Sequence, residues 1–285
     1  MTVEALAKAN GLTENALIDV GQRLTVPSAS GDTGMPLPGI QPRPAAPQTD
    51  SLAKLAPALA AYLEGREGVS SAAVYLPEDD TIYTFNAGAK FEMASTVKVP
   101  IMITHLSQRF DSDPRASAPG SDLLAPMITV SDNDAATALL ERVGGARAVQ
   151  AELDSRGLDD TTINPEYWGL STTTAPDMAL LLRSLYVGQG LNAPLRVIAF
   201  GLMSGVVAEQ RWGAPAGLPP AYSIAFKGGW LPVNDGWLVH QVGVIEGNNR
   251  TAVFAFYNKG QPSFEYGQET LRRAAELLER QGLRR

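Results

Sequence analysis

The sequence predicts an α+β fold, with an antiparallel sheet built from both chain ends and helices flanking it. Strand-like runs lie at 69–76 and 81–86, and three more follow at 223–228, 236–246 and 251–258. Helical patterns fill the segment between the two groups. Strands that are separated from other strands by a run of helices are typical of α+β architecture. We therefore expect the early and late strands to share one sheet.

Composition and charge limit the classes of function. The chain has 285 residues, of which 45% are hydrophobic, enough for one sizeable core and a small appendage. A net charge of −7 and a pI near 5.0 argue against a nucleic-acid partner, because binding to phosphates requires clustered Lys and Arg. The absence of cysteine excludes disulfides, thiolate nucleophiles and Cys-ligated zinc. No apolar run approaches a transmembrane span, and the first residues lack a signal-peptide pattern.

The first 50 residues form two segments. Residues 1–28 carry a helical apolar pattern followed by a short strand, and residues 29–50 are a Pro/Gly-rich linker before a body at 51–285. The stretches EALAKANGL and LIDVGQRLTVP resemble the C-terminal half of a LysM repeat, a small module that binds peptidoglycan or chitin. A complete LysM also needs a preceding strand and helix, so we expect the chain to continue upstream of Met1. A remnant of the module and an unrelated helix are the alternatives.

The body contains further predicted elements, which follow in chain order. The first helix spans Leu52–Leu63 and has Pro57 near its first turns. A turn with the sequence PEDD joins the first two strands. The remaining helical patterns lie at 95–108, 134–143, 146–156 and 177–186, and an amphipathic helix at 265–281 closes the chain.

One pair of polar side chains inside an apolar run points to chemistry. Ser95 precedes Lys98 by one turn in FEMASTVKVPIM, at the predicted start of a helix, where unpaired N–H groups stabilise an oxyanion. The apolar neighbours of Lys98 disfavour its charged form, which would let it act as a base for Ser95. A second Ser-x-x-Lys at 51–54 opens an exposed helix with no evident role. The pattern alone is therefore a weak signal.

Two further motifs stand at predicted element boundaries. Ser131–Asn133 (Ser-Asp-Asn) comes before a helix, where capping is the simpler interpretation. Lys227–Gly229 (Lys-Gly-Gly) ends the strand SIAF, where a glycine-rich bulge or turn beside a solvated lysine is the simpler one. The three motifs in this order form a much more specific signal than any of them alone.

Together the motifs resemble the set Ser-x-x-Lys, Ser-Asp-Asn and Lys-Thr-Gly of class A β-lactamases and penicillin-binding proteins. MITVSDNDAATALLERVGG, STTTAPDMALLL and VGVIEGNNRTAVFAFY also look like this family, so the resemblance covers most of residues 51–285. It implies a β-lactamase-like fold and covalent catalysis on Ser95, with Lys98 as its base. Ser131 would pass a proton to the leaving nitrogen, and Asn133 would help hold Lys98 and the substrate amide.

The resemblance also implies the remaining groups of the site. Lys227 would act on the substrate carboxylate and on Ser131. Gly229 and Trp230 would contact the substrate, and the N–H groups of Ser95 and Trp230 would form an oxyanion hole. No metal or organic cofactor is implied, because the chemistry needs only side chains and ordered water. The expected substrate is a small β-lactam or a peptidoglycan-derived molecule, and the LysM-like segment would bind cell-wall glycan.

Departures from the family pattern leave the hydrolysis of the acyl-enzyme open. Gly228 replaces a residue whose hydroxyl helps to hold the substrate carboxylate. The loop NPEYWGLSTTTAPDM lacks the Glu-x-x-Leu-Asn that holds the hydrolytic water; Glu166 is the candidate carboxylate, and a solvated loop acid is the alternative. Ser171 stands where the family usually has an aspartate that forms a salt bridge. The segment between Lys98 and Ser131 is short, which predicts a reduced helical subdomain and an open cleft.

Three hypotheses of function follow. The first is a serine acyl hydrolase of the class A β-lactamase type, which opens β-lactam amides through an acyl-enzyme on Ser95. The second is a penicillin-binding D,D-peptidase or cell-wall esterase with slow deacylation of β-lactams. The third is a noncatalytic wall-binding protein with a degenerate hydrolase body. The family resemblance implies an extracytoplasmic location, and the two histidines, His105 and His240, are expected to pack rather than to react.

Overall fold

The computed structural model describes residues 50–108 and 121–284. The predicted LysM-like fragment at 1–28 lies outside these residues, as does the predicted linker except for Asp50. Most of the short segment behind the prediction of an open cleft also lies outside them. Within the described residues, no helix has both the length and the apolar character needed to cross a membrane.

The body is organised around a five-stranded sheet in the order β2-β1-β7-β6-β5. All neighbouring strands are antiparallel, and β1 from the start of the body pairs with β7 near its end. The two ends of the body therefore meet in one sheet, as the sequence predicts. The strands are β1 (Val69–Leu76), β2 (Thr81–Phe85), β5 (Ser223–Val233), β6 (Gly236–Gly247) and β7 (Arg250–Lys259). A second, two-stranded sheet is formed by β3 (Phe91–Glu92) and β4 (Thr172–Thr173).

Helices fill the middle of the chain and close it at both ends. The early helices are α1 (Leu52–Leu55), α2 (Pro57–Glu64), α3 (Lys98–Ser107), α4 (Ser121–Thr129) and α5 (Asn133–Arg142). The later ones are α6 (Gly145–Ser155), α7 (Ala175–Val187), α8 (Ala193–Ser204), α9 (Ala214–Gly217) and α10 (Phe264–Leu278). Short 3-10 turns at Ala94–Val97 and Trp168–Leu170 complete the region around the candidate site.

The two faces of the sheet bury separate apolar clusters. Successive side chains of a strand point to opposite faces, so Ala73 and Tyr75 lie in one cluster while Ala72 and Val74 lie in the other. The first cluster contains side chains of α3 to α8, and the second contains those of α1, α2 and α10. The helical middle of the chain therefore covers one face of the sheet, and the terminal helices cover the other.

Helices α8 and α9 were not predicted, and local structure departs from the sequence predictions at two further places. The predicted helix at 52–63 is broken into α1 and α2, because proline lacks the N–H that would continue the helix and Ala56 before it adopts φ −141°. The prediction that Lys227–Gly229 ends a strand is wrong, since β5 runs on to Val233 and each residue of the motif pairs with β6. The motif therefore lies in the middle of an edge strand, without a bulge.

Candidate active site

Ser95 lies in a 3-10 turn between the short strand β3 and helix α3. Ala94, just before it, has φ 46°, a left-handed conformation that non-glycine residues rarely adopt and that costs about 1–3 kcal/mol. The next residue, Thr96, is anchored from behind: its hydroxyl donates to Met93 O at 2.6 Å and lies 2.9 Å from the Tyr257 hydroxyl. Ser95 itself is partly exposed, on a turn whose backbone is held in place by Thr96.

Lys98 is fully buried one turn after Ser95. Its Nζ donates to Ser131 O at 2.6 Å, to Ser131 Oγ at 3.1 Å and to Asn133 Oδ1 at 2.7 Å. Burial lowers the pKa of Lys98 from 10.5 to about 8, and the nearby charge of Asp132 opposes part of that shift. The three donated hydrogen bonds hold Lys98 in place as the ammonium, while burial brings its pKa close enough to neutral pH for the free amine to form.

The Ser-Asp-Asn motif forms the turn between α4 and α5. Asp132 caps α5, because its Oδ1 accepts from Ala135 N at 2.7 Å. Ser131 has φ 61°, a second strained conformation at the site. Asn133 is the first residue of α5 and turns its amide oxygen toward Lys98. The capping interpretation holds for Asp132, while its two neighbours contact the buried lysine.

Lys227 approaches the same serine from the sheet. Its Nζ donates to Ser131 Oγ at 3.0 Å and to Gly228 O at 2.8 Å, and its side chain is fully buried rather than solvated. Burial holds the pKa of Lys227 well below its ordinary value, and the charge of Lys98 lowers it further. Since Ser131 Oγ accepts from both lysines, its own proton is the one left to donate elsewhere.

The glycines after Lys227 bring the edge strand close to the nucleophile turn. A Cβ at Gly229 would lie 2.9 Å from Thr96 N and 3.0 Å from both Ser95 N and Met93 O. Only glycine permits this approach of two backbones. The residue after it, Trp230, is therefore carried next to the Ser95 turn, with its ring on the opposite face of the sheet.

A cluster of aromatic rings lies behind Gly228. The ring of Trp230 contacts that of Trp212, with centroids 5.4 Å apart, and a Cβ at Gly228 would lie 3.4 Å from Trp212. Buried Gln241 fixes this arrangement, because it donates to Trp212 O and accepts from Ala214 N, both at 2.7 Å. The place of the missing hydroxyl at Gly228 is thus bordered by an aromatic ring.

Glu166 does not join this group of side chains. It is exposed on its loop, and among the described residues no hydrogen bond or ion pair involves its carboxylate. The loop instead places the Trp168 ring 5.2 Å from Lys98 Nζ, and Trp168 Nε1 donates to Thr137 Oγ1 at 3.1 Å. Ser171 closes the loop by accepting from Asn164 N at 3.0 Å, a hydrogen bond at the position where the family usually has a salt bridge.

Sequence reasoning missed Trp168, Tyr257 and Gln241 as parts of the site. Trp168 lies in the same loop as Glu166, the candidate carboxylate. No spacing rule relates a loop tryptophan to a lysine 70 residues earlier. Tyr257 and Gln241 lie within the sequence patterns of β7 and β6 and have no distinguishing motif. Their contacts with the site depend on strand pairing, which local sequence does not determine.

The two histidines lie in packed surroundings. His240 is fully buried, its Nε2 lies 2.9 Å from Glu92 O, and its Nδ1 accepts from Asn258 N at 3.1 Å. Burial lowers the pKa of His240 to about 3. His105 is buried in α3. Across residues 50–108 and 121–284, no group of three or more His, Asp or Glu side chains is arranged to hold a metal ion.

Two family models match segments of this chain. The family model described as "Beta-lactamase enzyme family" matches residues 109–281, more than half of the chain. The chain belongs to the beta-lactamase enzyme family. The matched span contains Ser131, Asn133 and Lys227, and it begins after Ser95 and Lys98. A LysM domain model matches residues 1–27, which confirms the predicted resemblance of that segment.

Solved structures show the same fold. PBP-A is 21% identical, with a TM-score of 0.69, over 80% of this chain and 96% of that one. A mutant of PBP-A in an acyl-enzyme complex with penicillin G matches with the same values. A beta-lactamase from Sphaerobacter thermophilus is 22% identical, with a TM-score of 0.69, over 81% of this chain and 98% of that one. The β-lactamase-like α+β fold is thereby confirmed. No curated protein sequence is matched by this chain.

Proposed function

We propose that the protein is a serine acyl hydrolase that opens β-lactam amides, or a related peptidoglycan-derived amide or ester, by forming an acyl-enzyme on Ser95. The observation that carries the proposal is the buried Lys98, whose pKa of about 8 leaves a usable neutral fraction near pH 7. Its hydrogen bonds to Ser131 and Asn133 supply the geometry. Two lysines that share one serine hydroxyl have no evident structural purpose.

The proposed acylation gives each group of the site a defined step. Neutral Lys98 takes the proton of Ser95, and Ser95 Oγ attacks the carbonyl carbon of the substrate. The N–H groups of Ser95 and Trp230 stabilise the oxyanion, which Gly229 allows by its close approach. As the C–N bond breaks, Ser131 donates its proton to the leaving nitrogen. Ser131 then regains a proton from the lysines, which closes the cycle.

Lys227 would select substrates that carry a carboxylate. Burial and the nearby charge of Lys98 both lower the pKa of Lys227, which favours its neutral amine. An incoming carboxylate would reverse that preference, because an opposite charge nearby favours the ammonium form. The substrate would thus recharge Lys227 and strengthen its hydrogen bond to Ser131. Gly228 supplies no hydroxyl for the same carboxylate, so this recognition would depend mainly on Lys227.

Slow deacylation is the second part of the proposal, and it favours the penicillin-binding hypothesis over fast β-lactamase turnover. Hydrolysis of the ester needs a base that activates a water beside it. Glu166 is exposed and forms no contact with Lys98, whereas the Trp168 ring occupies the adjacent space. PBP-A, a similar structure, has a mutant in an acyl-enzyme complex with penicillin G. We infer a long-lived ester and a D,D-peptidase or cell-wall esterase activity.

The N-terminal match suggests where the enzyme acts. LysM modules bind peptidoglycan or chitin, and residues 1–27 match their model. We propose that this segment holds the enzyme on cell-wall glycan and that the protein works outside the cytoplasm. Binding of the chain to isolated peptidoglycan, compared with a version that starts at Asp50, tests this part separately from the chemistry at Ser95.

Labelling by a fluorescent penicillin tests the acylation directly. The wild-type protein is expected to carry the label after denaturing electrophoresis, whereas Ser95→Ala is expected to carry none. An unlabelled wild-type protein of native circular dichroism would support the noncatalytic wall-binding hypothesis instead. Release of D-alanine from a muropeptide, followed in parallel, distinguishes the D,D-peptidase hypothesis from one that acts only on β-lactams.

A further inference from the structure

A cavity of about 500 Å³ lies between α8, the end of α7 and the first residues of β5. No residue that acts in the proposed acyl transfer lines it. Its apolar wall is formed by Tyr186, Val197, Phe200, Gly201, Ala225 and Val244. A volume of this size is typical of sites for small molecules. One of these side chains, Val197, is 72% exposed.

Gly201 keeps this space open. It lies in the interior of α8, where glycine costs about 1 kcal/mol relative to alanine. Close packing does not explain the residue, since a Cβ built on Gly201 would meet nothing within 4 Å. The small side chain of Ala225 faces it from the sheet. The helix thus carries a destabilising residue whose visible effect is to enlarge the cavity.

Two charges of opposite sign stand at the same cavity. Arg196 is fixed in place, because its Nη1 donates to Tyr186 O at 2.8 Å at the end of α7. The same guanidinium packs against Gly188 at the end of α7, and no carboxylate of the described residues forms an ion pair with it. Glu246 lies on β6 opposite Ser223 and takes part in no ion pair among the described residues. Within the described residues neither charge is neutralised by an ion pair, so each can bind a ligand group of opposite charge.

We propose that this cavity binds a small zwitterionic molecule with apolar side groups, of the size and chemistry of an apolar dipeptide. The ligand's ammonium group binds Glu246, its carboxylate binds Arg196, and its side chains fill the space above Gly201. Such a ligand complements both charges, which a plain hydrocarbon or a simple fatty acid does not. This binding would be additional to the proposed acyl transfer. The cavity is near the candidate active site, because Ala225 and Lys227 point to the same face of the sheet and are about 7 Å apart along β5.

Titration of the full chain with L-Leu-L-Phe, followed by calorimetry and by backbone NMR shifts, tests the proposal. Saturable binding with shifts centred on 193–204 and 223–225 is expected, and prior acylation of Ser95 by penicillin is expected to leave it unchanged. Gly201→Leu, which fills the cavity, should abolish binding. The matched control Gly201→Ala should retain binding and raise the melting temperature, because alanine is the better helix former.

The charge assignment has its own test. N-acetyl-Leu-Phe lacks the ammonium group and is expected to bind the wild-type protein about tenfold more weakly, as is usual when a charged hydrogen bond is lost. In Glu246→Gln the two peptides should bind equally. Equal loss in both proteins would overturn the role of Glu246. Absence of saturable binding by wild type at millimolar peptide, or shifts centred on the Ser95 cleft, would overturn the site itself.

Discussion

The Ser-Asp-Asn turn and the loop at 164–171 both approach Lys98, but they differ in the groups that they bring to it. The turn supplies three acceptors for Lys98 Nζ, namely Ser131 O, Ser131 Oγ and Asn133 Oδ1. The loop supplies the face of Trp168 and, among the described residues, no carboxylate. Formation of an acyl-enzyme and its hydrolysis require different groups. The groups around Lys98 therefore favour the proposed formation of an acyl-enzyme over its hydrolysis.

Among these tests, removal of the proposed base should have the largest effect on the acylation rate. Lys98→Met is expected to slow acylation by about 10²–10⁴-fold, the usual contribution of a general base. Glu166→Gln is the matched change on the loop side and should leave the acylation rate within about twofold, because its carboxylate contacts no reacting group. Stopped-flow acylation by a chromogenic cephalosporin measures both. A large loss in Glu166→Gln would break the comparison.

A carboxylate placed on the loop should sharpen the contrast. Trp168→Glu would bring an acid beside Lys98 and is expected to shorten the lifetime of the penicilloyl ester by on the order of 10²-fold. Trp168→Gln is the control, since it opens the same space without a base. The decay of the adduct is followed by intact mass. If both variants deacylate equally fast, exclusion of water by Trp168 is the operative factor, and the charge is not.

The pH dependence of acylation tests the state of Lys98. Because the neutral amine acts and its pKa is lowered to about 8, the rate should rise about tenfold per pH unit well below that value and level off above it. The same shift makes the unfolded chain bind more protons between about pH 8 and 10.5, so the folded state should gain stability across that window. A flat acylation profile between pH 6 and 9 would contradict the assignment of Lys98 as the base.

The two glycines of the edge strand offer the smallest and most local test. A Cβ at Gly229 would press on backbone atoms of the Ser95 turn, so Gly229→Ala is expected to lower the free energy of unfolding by about 1–3 kcal/mol and to slow acylation. Gly228→Ala meets only the edge of Trp212 and should stay within about 0.5 kcal/mol of wild type. Urea unfolding measures both variants, and equal destabilisation would refute this distinction.

Much of the fold was predictable because its strands are strongly patterned. β1 matches its predicted bounds, and the pairing of early with late strands follows from the order of elements. The missed helix α8 has an apolar sequence that follows Asn192 and a proline, a start signal that the sequence analysis did not use. The break at Pro57 has a local cause, the proline itself. The prediction missed it because the apolar helical pattern continues on both sides of the proline.

The candidate site was predictable where chemistry is tied to short motifs. Lys98 and Ser131 meet in the structure as the motif set implies, while the catalytic and binding roles of all the site residues stay predictions. The contact of Trp168 with Lys98 could not be predicted, because it depends on how the loop at 164–171 packs against α5. The close approach of Gly229 to Ser95 depends on the register of an edge strand, which is a tertiary property.

An intact-mass time course with excess benzylpenicillin tests the central claim most directly, with Ser95→Ala as the control. The account predicts an adduct of one penicilloyl group on wild type alone, which persists after the free penicillin is removed. An adduct that forms and disappears as the penicillin is consumed would contradict the proposed loss of the deacylation step. In that case the loop at 164–171 provides a base after all, and the fast β-lactamase hypothesis stands.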